Sequence, residues 1–128
     1  MVSSCVPATD METSGARLRS YELIARYGRG LQADVLLIPH HGSKTSSTSA
    51  FLDLVHPDIA LLPVGYRNRF HHPHPDVMAR YAARGIAVYR TDSGGRVRVV
   101  LPATNAVPRV SRFRDEAPHY WRSRSATE

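Results

Sequence analysis

Asp34-Val35-Leu36-Leu37-Ile38-Pro39-His40-His41-Gly42-Ser43 is the stretch on which the fold of this chain turns. A continuous aliphatic run closed by proline reads as a strand buried on both faces, as strands of parallel sheets are. Behind Pro39 the character changes at once to a polar loop, His40 to Thr48. Ile59-Ala60-Leu61-Leu62-Pro63 repeats the theme and is followed by a second polar loop, Val64 to Pro75. Between the two strands, Ser49 to Val55 places Phe51, Leu52 and Val55 on one helical face, and His56-Pro57 breaks that helix. Strand, helix, strand is the grammar of a layered α/β protein.

Working outward, Leu18, Tyr21, Ile24, Ala25 and Tyr27 recur at helical spacing over Ala16–Gly28, with Ser14 as a cap and Gly28 and Gly30 as stops. The aromatic residues of that helix read as core. Asp76–Arg84 is a further helix, turned inward through Val77, Met78 and Tyr81 and capped by Gly85. Ile86–Arg90 is a third strand, Asp92–Gly95 a hairpin turn, and the alternating Arg96–Leu101 a half-exposed strand. Because that last hairpin is antiparallel, the sheet is expected to be mixed. Three regions follow: an irregular segment over 1–13, an α/β body over 14–102, and an Arg-rich flexible tail over 103–128.

The chain has 128 residues, enough for one domain. Its formal net charge is +6, and Lys44 is the only lysine, so arginine carries nearly all the positive charge. Guanidinium forks suit phosphate and carboxylate, which makes a polyanion a fitting partner. Cys5 stands alone, which excludes an internal disulfide and a thiolate zinc site. Any metal must be held by histidine and carboxylate. No apolar run approaches the ~20 residues of a membrane span. Met1–Pro7 lacks the basic and apolar regions of a signal peptide, so the chain by itself is expected to be soluble, unexported and cytoplasmic as expressed.

The residue types that carry chemistry gather in the two loops. His40 and His41 lie where a buried strand meets a loop, and neutral imidazoles there suit a divalent transition metal or local backbone hydrogen bonds. Gly42 permits close backbone approach to a ligand. Lys44-Thr45-Ser46-Ser47-Thr48 can cradle a phosphate or cap the following helix, and Lys44 is the member placed to touch substrate. In the second loop, Gly65-Tyr66-Arg67-Asn68-Arg69-Phe70-His71-His72-Pro73-His74-Pro75, Arg67 and Asn68 suit phosphate oxygens. His72 suits a general acid or a phosphate ligand. His74, between two prolines, suits a helix start, and His56 a partner for a helix C-terminus. Loops that follow neighbouring strands converge at one sheet edge, where α/β proteins bind ligands.

Ala33 through Thr48 resembles the HHGS segment of the C-terminal domain of the ComEC family. Gly65–Phe70 with His72-Pro73-His74-Pro75 is similar to that family's second loop, and Arg90-Thr91-Asp92 with Gly95 to its final hairpin. The likeness runs from about Asp10 through Leu101, and the tail ending in Tyr120-Trp121 also resembles some members. The resemblance implies a metallo-β-lactamase fold, here the C-terminal half of an αββα sandwich. It implies attachment to an inner-membrane protein that imports single-stranded DNA during natural transformation, a nuclease acting on the strand left outside, and DNA, as single strand or duplex backbone, as the partner. It further implies a zinc or manganese centre to which Asp10 contributes as bridging ligand and His41 or His40 closes the second site, with His41 favoured because it directly precedes Gly42. Ser43, Lys44, Arg67, Asn68 and His72 would hold the phosphodiester, with Lys44 and His72 acting in catalysis.

Two departures stand out. Thr9 occupies the position of the family's glycine before the aspartate, and no histidine precedes His40, so the upstream His-x-Ser/His-x-Asp-His motif has no counterpart. The expectation is a fragment of a DNA-uptake phosphodiesterase, inactive alone. A non-catalytic nucleic-acid-binding remnant, or a metallo-hydrolase completed by another chain, are the alternatives.

Overall fold

A computed structural model describes residues 5–6, 16–103 and 107–117. Strand β1 (Cys5–Val6) and helix α1 (Ala16–Tyr27) are followed by β2 (Val35–Leu37), α2 (Ser49–Val55), β3 (Ile59–Leu62), α3 (Pro75–Ala82) and β4 (Ala87–Arg90). A single helical turn, α4 (Thr91–Gly94), leads to β5 (Val97–Val100), β6 (Arg109–Arg112) and a last turn, α5 (Phe113–Glu116). The class is α/β, as the strand–helix–strand order implies. Among the described residues no helix is long and apolar enough to cross a membrane.

The four strands β1-β2-β3-β4 lie side by side in chain order, all parallel. Register sets Leu36 beside Ala60, and Leu37 beside Leu61 and, further on, Tyr89. Because side chains alternate across a strand, Leu36, Ala60 and Leu62 share one face. There they join Phe51, Leu52 and Val55 of α2 and Val77 and Tyr81 of α3 in one core. Ile24 of α1 packs against the same cluster. Phe51, Leu52, Val55, Val77 and Tyr81 are wholly buried; such burial contributes about 1.5–3 kcal/mol for each large side chain. On the opposite face Val35 and Ile59 are buried, but Leu37, Leu61 and Tyr89 are only half-buried. Val35 and Leu36, and Ile59 and Ala60, are thus buried on opposite faces, as the sequence suggested, and burial thins on the far face only toward Leu37 and Leu61.

Caps explain where the helices begin and end. Thr48 precedes α2 and its hydroxyl accepts from the Phe51 amide at 3.4 Å. His74 caps α3, with Nδ1 accepting from the Asp76 amide at 3.3 Å, and Pro75 fills the first turn, where no amide donor is missed. At the far end of α3 the amides of Gly85 and Ile86 bond back to Ala82 and Tyr81, with Gly85 at φ +66°, the left-handed closure that glycine makes without strain.

Four expectations are corrected. The antiparallel pair is not part of the main sheet: β5 pairs with β6, so each sheet is of one kind rather than mixed. Asp92–Gly95 is not a hairpin turn between the third and fourth strands. Residues 91–94 are helical because Arg90 ion-pairs Asp92 at 2.6 Å and the Asp92 carboxylate accepts from the Ser93 amide. The residues beyond 103 are not uniformly a loose tail, since 109–112 form β6. Arg114 reaches back to the Asp92 and Ser93 carbonyls at 3.0 and 2.8 Å. Likewise Cys5–Val6, placed in an irregular segment, pairs with Val35–Leu36. Ser14, Asp10 and the Tyr120-Trp121 end lie outside the described residues.

Candidate functional site

Parallel strands end at the same edge, and that edge is where the chemistry-bearing loops meet. The loop after β2 begins with a short 3-10 turn, Pro39–Gly42, in which His40 and His41 take left-handed backbone angles (φ 50° and 52°). Gly42 continues at φ +74°, and a Cβ built there would lie 2.8 Å from Cβ of Pro73 in the second loop. The glycine is thus a seat for the second loop, which is also joined by the His74 amide donating to the Gly42 carbonyl at 2.8 Å. The His40 and His72 rings meet edge to face, with centroids 6.4 Å apart.

Among the described residues six non-glycine positions have positive φ: His40, His41, Ser47, His56, Arg67 and His71. Four of these, His40, His41, Arg67 and His71, lie at this rim. Each such conformation costs about 1–3 kcal/mol and persists only where the surroundings over-determine it.

His41 Nδ1 lies 2.6 Å from the Pro63 carbonyl oxygen. A carbonyl only accepts, so Nδ1 carries a proton, and the tautomer this selects is the one whose lone pair lies on Nε2 of an exposed ring. A backbone carbonyl that fixes the tautomer in this way is the usual support of a metal-binding or hydrogen-bond-accepting imidazole. His72 is half-buried; burial first, then the neighbouring His40, His41 and His74, hold its imidazole below the ordinary value. In the free protein it is neutral at pH 7.

The hydroxyl cluster divides. Ser46 Oγ donates to the Ser43 carbonyl at 2.8 Å, and Ser47 Oγ bonds the Tyr81 hydroxyl at 2.8 Å; both serines are buried. They hold the loop to the core and α3, and they are not turned to a ligand. Arg80 completes this inner bracing through the Ser46 and Ser47 carbonyls. Burial pushes the Tyr81 phenol up to about 12, so its hydroxyl stays neutral. Ser43 differs: its hydroxyl is buried and has no partner among the described residues. Lys44 is exposed beside it.

Asn68, expected to hold phosphate, is engaged elsewhere. Its amide nitrogen donates to the His72 carbonyl at 2.7 Å and its oxygen accepts from the His72 amide at 2.9 Å. It clamps the second loop. Arg67 is exposed, its guanidinium 5.3 Å from the Tyr66 ring centroid, and Arg69 lies 5.1 Å from that of Phe70. Thr91, directly after β4, accepts from the Val64 amide at 2.8 Å and lies 2.8 Å from the Val64 carbonyl, fixing how the second loop leaves β3. Sequence reasoning placed Thr91 only in a supposed hairpin. Its signal, a hydroxyl at the end of a third parallel strand, becomes meaningful once the strand order is known.

Among the described residues no three His, Cys, Asp or Glu side chains are grouped to hold a metal ion. His40 and His41 offer imidazoles, and Asp10 lies outside the described residues. The metal centre implied by the resemblance is therefore not complete within this set. The two loops, by contrast, do come together at one rim.

No family model matches the chain, and no solved structure matches it. Among curated proteins it is 39% identical over 92 residues to Competence protein ComA of Neisseria gonorrhoeae, covering 72% of this chain and 13% of that protein. It is 40% identical over 68 residues to ComE operon protein 3 of Bacillus subtilis, covering 53% of this chain and 9% of that protein. It is 37% identical over 103 residues to Recombination protein 2 of Haemophilus influenzae, covering 75% and 13%. The chain spans about an eighth or less of the length of these relatives. Through these matches the chain is similar to one segment of the ComEC-type competence proteins.

Proposed function

We propose that the rim built from Pro39–Lys44 and Gly65–Pro75 is a phosphodiester-gripping edge of a DNA-uptake protein. In a complete metallo-β-lactamase-type domain, attached to a ComEC-type membrane protein, it forms the substrate side of a metal-dependent phosphodiesterase. The observation that carries this reading is the seating of one loop on the other, Gly42 against Pro73 and His40 against His72. Lys44 and Arg67, both exposed at this rim, supply positive charge to a phosphate. Neutral His72 accepts or donates one hydrogen bond at the same edge and gains a proton more readily once a phosphate lies beside it. His41, with Nε2 open, or His40 fits as a zinc or manganese donor; a bound metal would acidify a water molecule. A hydrolytic centre needs at least three protein ligands, more than the described residues bring together. The chemistry proposed for these residues is therefore binding and orientation.

The test is binding of DNA by the full chain across a salt series. Affinity is expected to fall steeply with salt, and Lys44→Ala and Arg67→Ala each to lower the slope by about 1. Salt-independent binding, or none, overturns the reading. With Mn²⁺ or Zn²⁺ added, no hydrolysis is expected from this chain; turnover would show that its donors suffice and exclude the alternative of a purely binding role.

A further inference from the structure

The two-stranded sheet β5–β6 carries a patch that the rim does not use. Opposite residues of an antiparallel pair share a face, as do alternate residues along a strand. Arg98 therefore lies beside Ser111, Val100 beside Arg109, and Arg96 on the same side. Arg96, Arg98, Val100 and Arg109 are all exposed. The other side holds Val97, Val99 and Val110, half-buried, and Arg112, which ion-pairs Asp115 and lies over Gly94. Neither Arg98 nor Arg109 ion-pairs a described residue, and no Asp or Glu occurs between residues 96 and 113. Where Val100 meets Arg109, the positive face ends in aliphatic side chains: Val100, Leu101 and Val107 are 52%, 41% and 82% exposed. The other large apolar side chains exposed among the described residues, Tyr27, Tyr66 and Phe70, are aromatic. Aliphatic exposure is thus gathered at this one end rather than scattered singly.

We propose that this end of the β5–β6 pair docks on an anionic lipid surface, with Val100, Leu101 and Val107 set into the headgroup layer and Arg98 and Arg109 on lipid phosphates. Guanidinium groups alone would suit any polyanion. The aliphatic end decides between them. A nucleic acid offers phosphates and flat rings, and valine or leucine answers neither. A bilayer interface takes up each buried methylene at about 0.8 kcal/mol, and arginine stems lie along it while their heads stay in water. Insertion is shallow, because unpaired amides and carbonyls along the strand edges are not accepted by hydrocarbon. This docking does not depend on what the rim binds.

The experiment is co-sedimentation of the full chain with vesicles of phosphatidylcholine alone and of phosphatidylcholine with phosphatidylglycerol in equal parts. Binding is expected to the acidic vesicles only, and to weaken with salt. Arg98→Ala and Arg109→Ala are each expected to lower it about 5-fold, from about 1 kcal/mol for each arginine at an anionic surface. Leu101→Ser with Val107→Ser is expected to lower it about 10-fold. Arg98→Lys should retain binding, which separates loss of charge from loss of the fold, and all these variants should keep the parent's affinity for DNA. No binding to acidic vesicles at low salt, or equal binding to neutral ones, overturns the proposal. So do arginine variants that lose DNA binding instead of vesicle binding, which would assign the patch to nucleic acid. A dimer of the chain that the serine variants disperse also overturns it, since a second copy would then cover the aliphatic end.

Discussion

The loop after β2 is held from beneath, whereas the loop after β3 is held by its own side chains. In the first, Ser46 and Ser47 turn inward to the Ser43 carbonyl and to Tyr81, and α3 braces the same turn through Arg80. In the second, Asn68 closes a small ring of hydrogen bonds onto His72, and the large residues Tyr66 and Phe70 face outward. The Ser46 and Ser47 hydroxyls in the first loop thus serve stability, while rings and guanidiniums in the second remain available to a partner. The lesson concerns residue type: a serine or asparagine in a loop is no guide to ligand binding until its neighbours are known.

This contrast can be broken most forcefully where the loops touch. Gly42→Ala places a methyl against Pro73 and a side chain at φ +74°. It is expected to cost about 3 kcal/mol, read by urea unfolding, because strain and overpacking each cost about 1–3 kcal/mol. An unfolding midpoint unchanged by Gly42→Ala would mean that the loops are not seated on each other. Next in size is a pair of variants that should separate the two modes of support. Ser47→Ala leaves the Tyr81 hydroxyl buried without its partner and is expected to lower global stability by about 1–3 kcal/mol. Asn68→Ala is expected to cost about 1 kcal/mol or less in global unfolding, yet to speed hydrogen exchange at the His72 amide. If both variants act alike in global unfolding, the distinction between the loops is wrong.

The smallest effect is one of pH. The folded His72 imidazole titrates below its ordinary 6.5. Between the two values the unfolded chain binds the additional proton, so stability falls as pH drops below about 6.5 and is unaffected above it. Unfolding midpoints at about pH 7.5 and 5.5 should differ less for His72→Gln than for the parent chain. An identical difference would assign the pH response to other groups.

Much of the frame was legible in the sequence. The aliphatic runs at 35–38 and 59–62, the helix between them and the Pro75 helix start all follow from period and caps. Convergence of the two loops follows from parallel strands alone. The errors arose where local signals compete. Asp92-Ser93-Gly94-Gly95 reads equally as a hairpin turn, but the Arg90–Asp92 pair and the Arg114 contacts draw it into a helical turn. Strand β6 was hidden because Arg109, Ser111 and Arg112 leave only Val110 to mark it as apolar, and its partner β5 is distant enough that pairing cannot be inferred locally. In the site, the inward turn of Ser46 and Ser47 and the clamp of Asn68 depend on atoms 3 to 34 residues away.

The Thr91 hydroxyl takes a hydrogen from Val64 and lies within bonding distance of the carbonyl of that same residue. It rivets the hinge of the second loop to a neighbouring strand. Valine has the same outline and none of the bonding, so at position 91 it would leave the interior filled while letting that loop swing about the end of β3. The pitch of the arginine-bearing loop is therefore governed by a residue that belongs to neither loop.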